Sequence, residues 1–83
     1  MSDTALIDLV KSCLLSVAPD LEGEPIDPDT PFREQFEIDS MDFLNFIIAL
    51  HKATGVDLPE KDYPRLETLS GCLLYLRENG VTI

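Results

Sequence analysis

Five serines stand in this chain of 83 residues, at Ser2, Ser12, Ser16, Ser40 and Ser70, and one of them is placed for chemistry. Ser40 lies in Phe36-Glu37-Ile38-Asp39-Ser40-Met41-Asp42, where a proline-rich stretch gives way to an apolar, helix-forming run. At a helix start the backbone N–H groups point outward without intrahelical partners, and the dipole favours negative charge. A phosphate ester on the Ser40 hydroxyl would be stabilised there by the effect that binds free phosphate at helix starts. Ser12 and Ser16 fall inside a helical pattern, where no unsatisfied donors are exposed. Taken alone, Asp39-Ser40 also fits ordinary capping, an aspartate N-cap followed by a serine in the first turn.

What Ser40 lacks is a base. The chain has one histidine, His51, eleven residues further on, about three helical turns away. That distance excludes a serine-hydrolase triad, so another protein must activate the hydroxyl. No catalytic residue is assigned, and the expectation is that the chain is not an enzyme. Asp27 and Asp29 resemble the opening of a calcium loop, but the glycine and closing glutamate that such a loop needs are missing. Cys13 and Cys72 are far apart, without a close pair that would make a zinc site or a disulfide framework. They are expected to be reduced and partly buried, and no metal is assigned.

Composition narrows the class further. Sixteen acidic against six basic side chains give a formal charge of −10. Such a field repels nucleic acid and anionic lipid and attracts proteins with basic patches. A length of 83 residues allows one small domain and leaves no room for a large substrate cleft. Disorder is disfavoured, because 45% of residues are hydrophobic and periodically spaced. The N-terminal residues Met1-Ser2-Asp3-Thr4 lack a basic leader. The longest uninterrupted apolar run, Phe46–Leu50, is far short of the roughly 20 residues that span a bilayer. The expectation is a cytoplasmic monomer that inserts into no membrane.

The elements that would hold Ser40 follow from periodicity. Leu6, Leu9, Val10, Cys13, Leu14 and Val17 recur at three- and four-residue spacing, a core-facing stripe capped by Ser2 or Asp3 and stopped by Pro19. Residues 19–39, with four prolines and Gly23, read as a long loop pinned by Ile26, Phe32, Phe36 and Ile38. A second helix is expected from about Ser40 to Thr54, with Asp39 as N-cap, Asp42 three residues into it and Gly55 as its stop. Phe46, Ile47 and Leu50 are its expected core face, with Phe43 and Ile48 left near the surface. Pro59 and Pro64 allow only a short helical turn in 56–66, and a last helix runs from about Thr68 to Asn79-Gly80. The result is an all-α chain, a small antiparallel bundle of three main helices plus one short helix.

In this order of elements the whole chain resembles the acyl carrier proteins. Asp39-Ser40-Met41 matches their Asp-Ser-Leu-like motif at the start of the second helix. Gly55-Val56-Asp57-Leu58-Pro59 is similar to the family's link into a short third helix, and Thr68-Leu69 to the start of the fourth. The resemblance implies that residues 1–83 are one acyl carrier domain. It implies that a phosphopantetheinyl transferase moves a 4′-phosphopantetheine arm from coenzyme A onto Ser40, with Asp39 helping it to engage. Acyl groups then ride as thioesters on the arm, and the further partners are an acyl-loading ligase or synthase and acyltransferases.

The chain also departs from the family's pattern. Glu37 stands where a glycine usually precedes the aspartate by two residues, and the second helix is apolar and weakly charged, ending in His51 and Lys52. Docking is therefore expected to rest on Met41, Asp42, Phe43 and Ile48, with apolar contact outweighing long-range steering. That points to a specialised fatty acid, lipid or secondary-metabolite pathway. Leu44, Phe46, Ile47 and Leu73 are the candidate lining of any interior acyl site. A peptidyl or aminoacyl carrier and an unmodified acidic helical adaptor are the alternative readings; the charge and Phe36-Glu37-Ile38-Asp39 disfavour the first.

Overall fold

The structure, a computed structural model, describes residues 4–81. Four α-helices follow one another: α1 (Thr4–Val17), α2 (Phe32–Gln35), α3 (Ser40–Thr54) and α4 (Leu69–Glu78). Short 3-10 segments at Pro19–Leu21 and Glu60–Leu66 complete an all-helical fold, without strands among the described residues. The three main helices stand where periodicity put them, and the short one after α3 where Pro59 and Pro64 left room for it. The one-turn α2 and the turn at Pro19 interrupt a stretch that reads as loop in the sequence. The cap expected at Ser2 or Asp3 lies outside the described residues.

Local chemistry sets the ends of α3. Asp39 is extended at φ −85° and ψ −179°, and its carboxylate accepts the Asp42 amide at 2.9 Å. At the other end Gly55 takes φ 74° and its amide returns to the His51 carbonyl at 2.7 Å. A β-carbon disfavours that left-handed turn, so glycine stops the helix there. Thr68 caps α4 in the same manner as Asp39 caps α3, accepting the Gly71 amide at 3.0 Å.

Packing on α1 selects the core. Its Leu6, Val10, Cys13 and Leu14 are buried against α3 and α4, with Leu9 and Val17 partly buried beside them. Cys13 and Cys72 are both free and buried. The Cys72 thiol donates to the Leu66 carbonyl, and burial, with a lesser contribution from Cys13, pushes its pKa up to about 12. Phe46, Ile47 and Leu50 form the inner face of α3.

Two α3 residues sit on the side opposite to the one expected. Phe43 is 6% exposed, with its ring edge-on to Tyr63 at 5.9 Å and tilted against Phe46 at 6.1 Å. The 3-10 segment brings Tyr63 over this side of α3 and draws Phe43 inward. Leu44 is turned out instead, at 41% exposed, and lines no interior space.

The long loop is tied down by polar groups as well as by Phe32, Ile38 and the partly buried Ile26 and Phe36. The Gln35 side chain accepts the Asp27 amide and donates to the carbonyls of Asp27 and Thr30. Asp27 accepts the Asp29 amide at 2.9 Å, closing its own turn, and that bond, followed by one with Thr30, holds its carboxyl below the ordinary aspartate pKa. The Phe32 and Ser70 amides donate to the carbonyls of Glu67 and Pro28, stitching the loop to the start of α4.

Gly71 marks where α4 meets the 3-10 segment most closely. A β-carbon there would overlap the Arg65 carbonyl oxygen and lie 2.9 Å from Thr68 Oγ1. Gly71→Ala is expected to lose about 1–3 kcal/mol, the usual cost of overpacking against backbone. A urea titration checks this: unchanged stability would mean that the segment yields without cost.

Candidate functional site

Ser40 occupies the first position of α3 with its side chain exposed. The Asp42 amide is taken by the Asp39 carboxylate, and the Phe43 amide makes the first intrahelical bond, to the Asp39 carbonyl at 3.0 Å. The amides of Ser40 and Met41 precede that bond, at the positive end of a helix of 15 residues. Arg33 Nη2, on α2, donates to Ser40 Oγ at 3.1 Å.

Beside Ser40 a groove of about 410 Å³ opens between α3 and the 3-10 segment, walled by Phe43, Leu44, Tyr63 and Pro64 and rimmed by Glu60 and Glu67. Tyr75 helps to fix that segment, donating to Asp62 at 2.7 Å beneath the Arg65 guanidinium, which pairs with Glu78. The His51 ring lies at the far end of α3, its Nδ1 donating to the Val56 carbonyl at 2.7 Å. Ser40 therefore has a charged neighbour and an open approach, and among the described residues no histidine beside it.

Asp39, Ser40, Met41 and Asp42 thus come together at one tip. Met41 is 69% exposed there, and Ile48, on the stripe it shares with Leu44, is also exposed. Phe43, expected among the outward residues, is buried and reaches the surface only as part of the groove wall. Arg33 is absent from the set that the sequence suggests. The signal that precedes it is Pro31, whose fixed backbone suits a helix start but which stands among other loop prolines.

A family model described as "Phosphopantetheine attachment site" matches residues 8–75. The chain belongs to the acyl carrier protein family. It is 30% identical over 59 residues to the acyl carrier protein of Rubrobacter xylanophilus, covering 71% of this chain and 73% of that one. Identity with the acyl carrier protein of Thermosynechococcus vestitus is 29% over 79 residues, covering 92% and 93%. With that of Rickettsia bellii it is 24% over 76 residues, covering 88% of each.

The family is one of carriers rather than enzymes, and its attached group is 4′-phosphopantetheine. The residues at the α3 tip fit that group. An acyl carrier protein needs an exposed hydroxyl to esterify, donors for a phosphate and open space beside them, and Ser40 has all three. Among the described residues no helix is long and apolar enough to cross a membrane.

Proposed function

We propose that this chain is a single carrier domain over residues 1–83 that bears its arm on Ser40 and serves a specialised fatty acid, lipid or secondary-metabolite pathway. The observation that carries the reading is the exposed Ser40 hydroxyl at the start of α3, with no base beside it. When bound, the arm supplies a terminal thiol on which an acyl group is carried as a thioester. The chain's residues act around it. Asp39 holds the first turn and offers a carboxylate to the transferase, and the amides ahead of the first intrahelical bond face the attached phosphate. Incubation with coenzyme A and a broad-specificity phosphopantetheinyl transferase tests this by intact mass. One added phosphopantetheine is expected, and an unchanged mass would leave only an unmodified adaptor.

Docking of the acyl-loading ligase or synthase and of acyltransferases is assigned to Met41, Asp42 and Ile48, with Leu44 on the same stripe. Met41, Leu44 and Ile48 recur at three- and four-residue spacing and are all exposed. They give one apolar strip leading away from Ser40. A few well-desolvated residues carry most of the energy of an interface, so a single position of the strip can be tested. Ile48→Glu is expected to slow acyl loading by about tenfold, equivalent to about 1.4 kcal/mol, with arm attachment unaffected. Equal loading rates for variant and wild type would remove this strip from the docking surface. The reading includes a cytoplasmic monomer, a reducing compartment being one in which the free, buried thiols of Cys13 and Cys72 would persist.

A further inference from the structure

Arg33 spends its charge in an unexpected place. It is one of six basic residues among sixteen acidic ones, and Glu34 follows it directly in the chain. Glu60 and Glu67 line the same groove as its side chain. Yet among the described residues the guanidinium makes no ion pair with any of these, and its one hydrogen bond goes to Ser40 Oγ.

That contact adds nothing that α3 lacks. Asp39 already caps the first turn, and a cation near a helix N-terminus is opposed by the dipole. A neutral hydroxyl is also a poor partner for a guanidinium, whose planar fork matches the paired oxygens of a phosphate. With an anion on Oγ the guanidinium gains a matched, charged partner, and the anion itself is favoured by the dipole that opposes the cation alone. The carboxylates of Glu60 and Glu67 on the groove rim would otherwise repel that anion.

We propose that Arg33 is an intramolecular counter-ion for the phosphodiester at Ser40, holding the root of the arm at the mouth of the groove between α3 and the 3-10 segment. This rests on attachment at Ser40. Arg33 is here a positioning residue: it orients the arm and takes no part in attaching or releasing cargo. An exposed pair contributes little to stability, so the test reads the phosphate directly.

The arm is installed enzymatically on wild type, Arg33→Gln and Arg33→Lys, and intact mass is followed by phosphorus NMR of each loaded protein. All three are expected to load. The phosphorus resonance of Arg33→Gln is displaced from that of wild type, and Arg33→Lys falls between them. Added sodium chloride moves the wild-type resonance toward the Arg33→Gln position and leaves the latter nearly fixed, as screening requires. The Arg33 Nε resonance shifts on loading, while that of Arg65 stays. Coincident phosphorus resonances with the same salt response would overturn the role of Arg33 alone. Loading of wild type but of neither variant would also overturn it, since Arg33 would then act on the free serine. A wild type that gains no mass would remove the attachment reading and this proposal together.

Discussion

Ser40→Ala gains no mass under conditions that load the wild type completely, because the fold leaves no other described serine fit for the task. Ser16 lies inside α1 and its hydroxyl donates to the Cys13 carbonyl at 2.6 Å. Ser12 is exposed on the same helix, but the amides around it are committed within α1. Ser70 is the instructive comparison, since it also stands in the first turn of a helix. Its amide donates to the Pro28 carbonyl and its hydroxyl to the Asp29 carboxylate at 3.2 Å. A phosphate ester on Ser70 would find that amide already taken, would lose the hydroxyl's bond to Asp29 and would be repelled by its carboxylate. Ser70→Ala should therefore load as wild type does. Ser40 is exposed, with Arg33 as its single side-chain partner, so its own loss costs little stability. The two variants are compared by intact mass after equal transferase treatment, with helicity from circular dichroism as the control for folding. Arm addition to Ser40→Ala would place the attachment on another hydroxyl and dissolve the site.

The helix ends and most of the core were legible because each carries its own local signal. Asp39, Gly55, Thr68 and Gly80 act through capping and left-handed stops within a few residues of themselves. The stripe on α1 has a single possible face. Helix α3 is different, since Met41, Phe43, Leu44, Phe46, Ile47, Ile48 and Leu50 leave more apolar side chains than one face can bury. Whether Phe43 or Leu44 turns inward is decided by Tyr63, which comes from a 3-10 segment broken by Pro64. Nothing in the α3 pattern encodes that neighbour. The Arg33 contact was hidden for a related reason. It joins residues seven apart across the end of a loop, and the four-residue α2 that aims the side chain is too short to have a period.

Phe46→Ala should be the most damaging of the simple core truncations, and the damage should reach the site. The ring is fully buried, edge-on to Phe32 at 5.5 Å and tilted to Phe43 at 6.1 Å. Removing a buried phenylalanine side chain costs about 3–5 kcal/mol through lost transfer energy and the cavity left behind. At the usual marginal stability per residue, a chain of 83 residues has only about 4–12 kcal/mol in total. At about 4–8 °C per kcal/mol for domains of this size, the midpoint of thermal unfolding should fall by about 12–40 °C. Phe46→Leu keeps most of the volume and should lose distinctly less. Phe32 is the first residue of α2, and its burial on Phe46 helps to seat the segment carrying Arg33 beside Ser40. In Phe46→Ala the amides of residues 32–36 should therefore exchange faster with solvent than global unfolding alone explains, while those of α1 follow the global rate. Uniform exchange across the chain would mean that the loop is seated by its polar staples to Gln35 and Glu67 rather than by the Phe32–Phe46 contact. The site would then be set independently of the core.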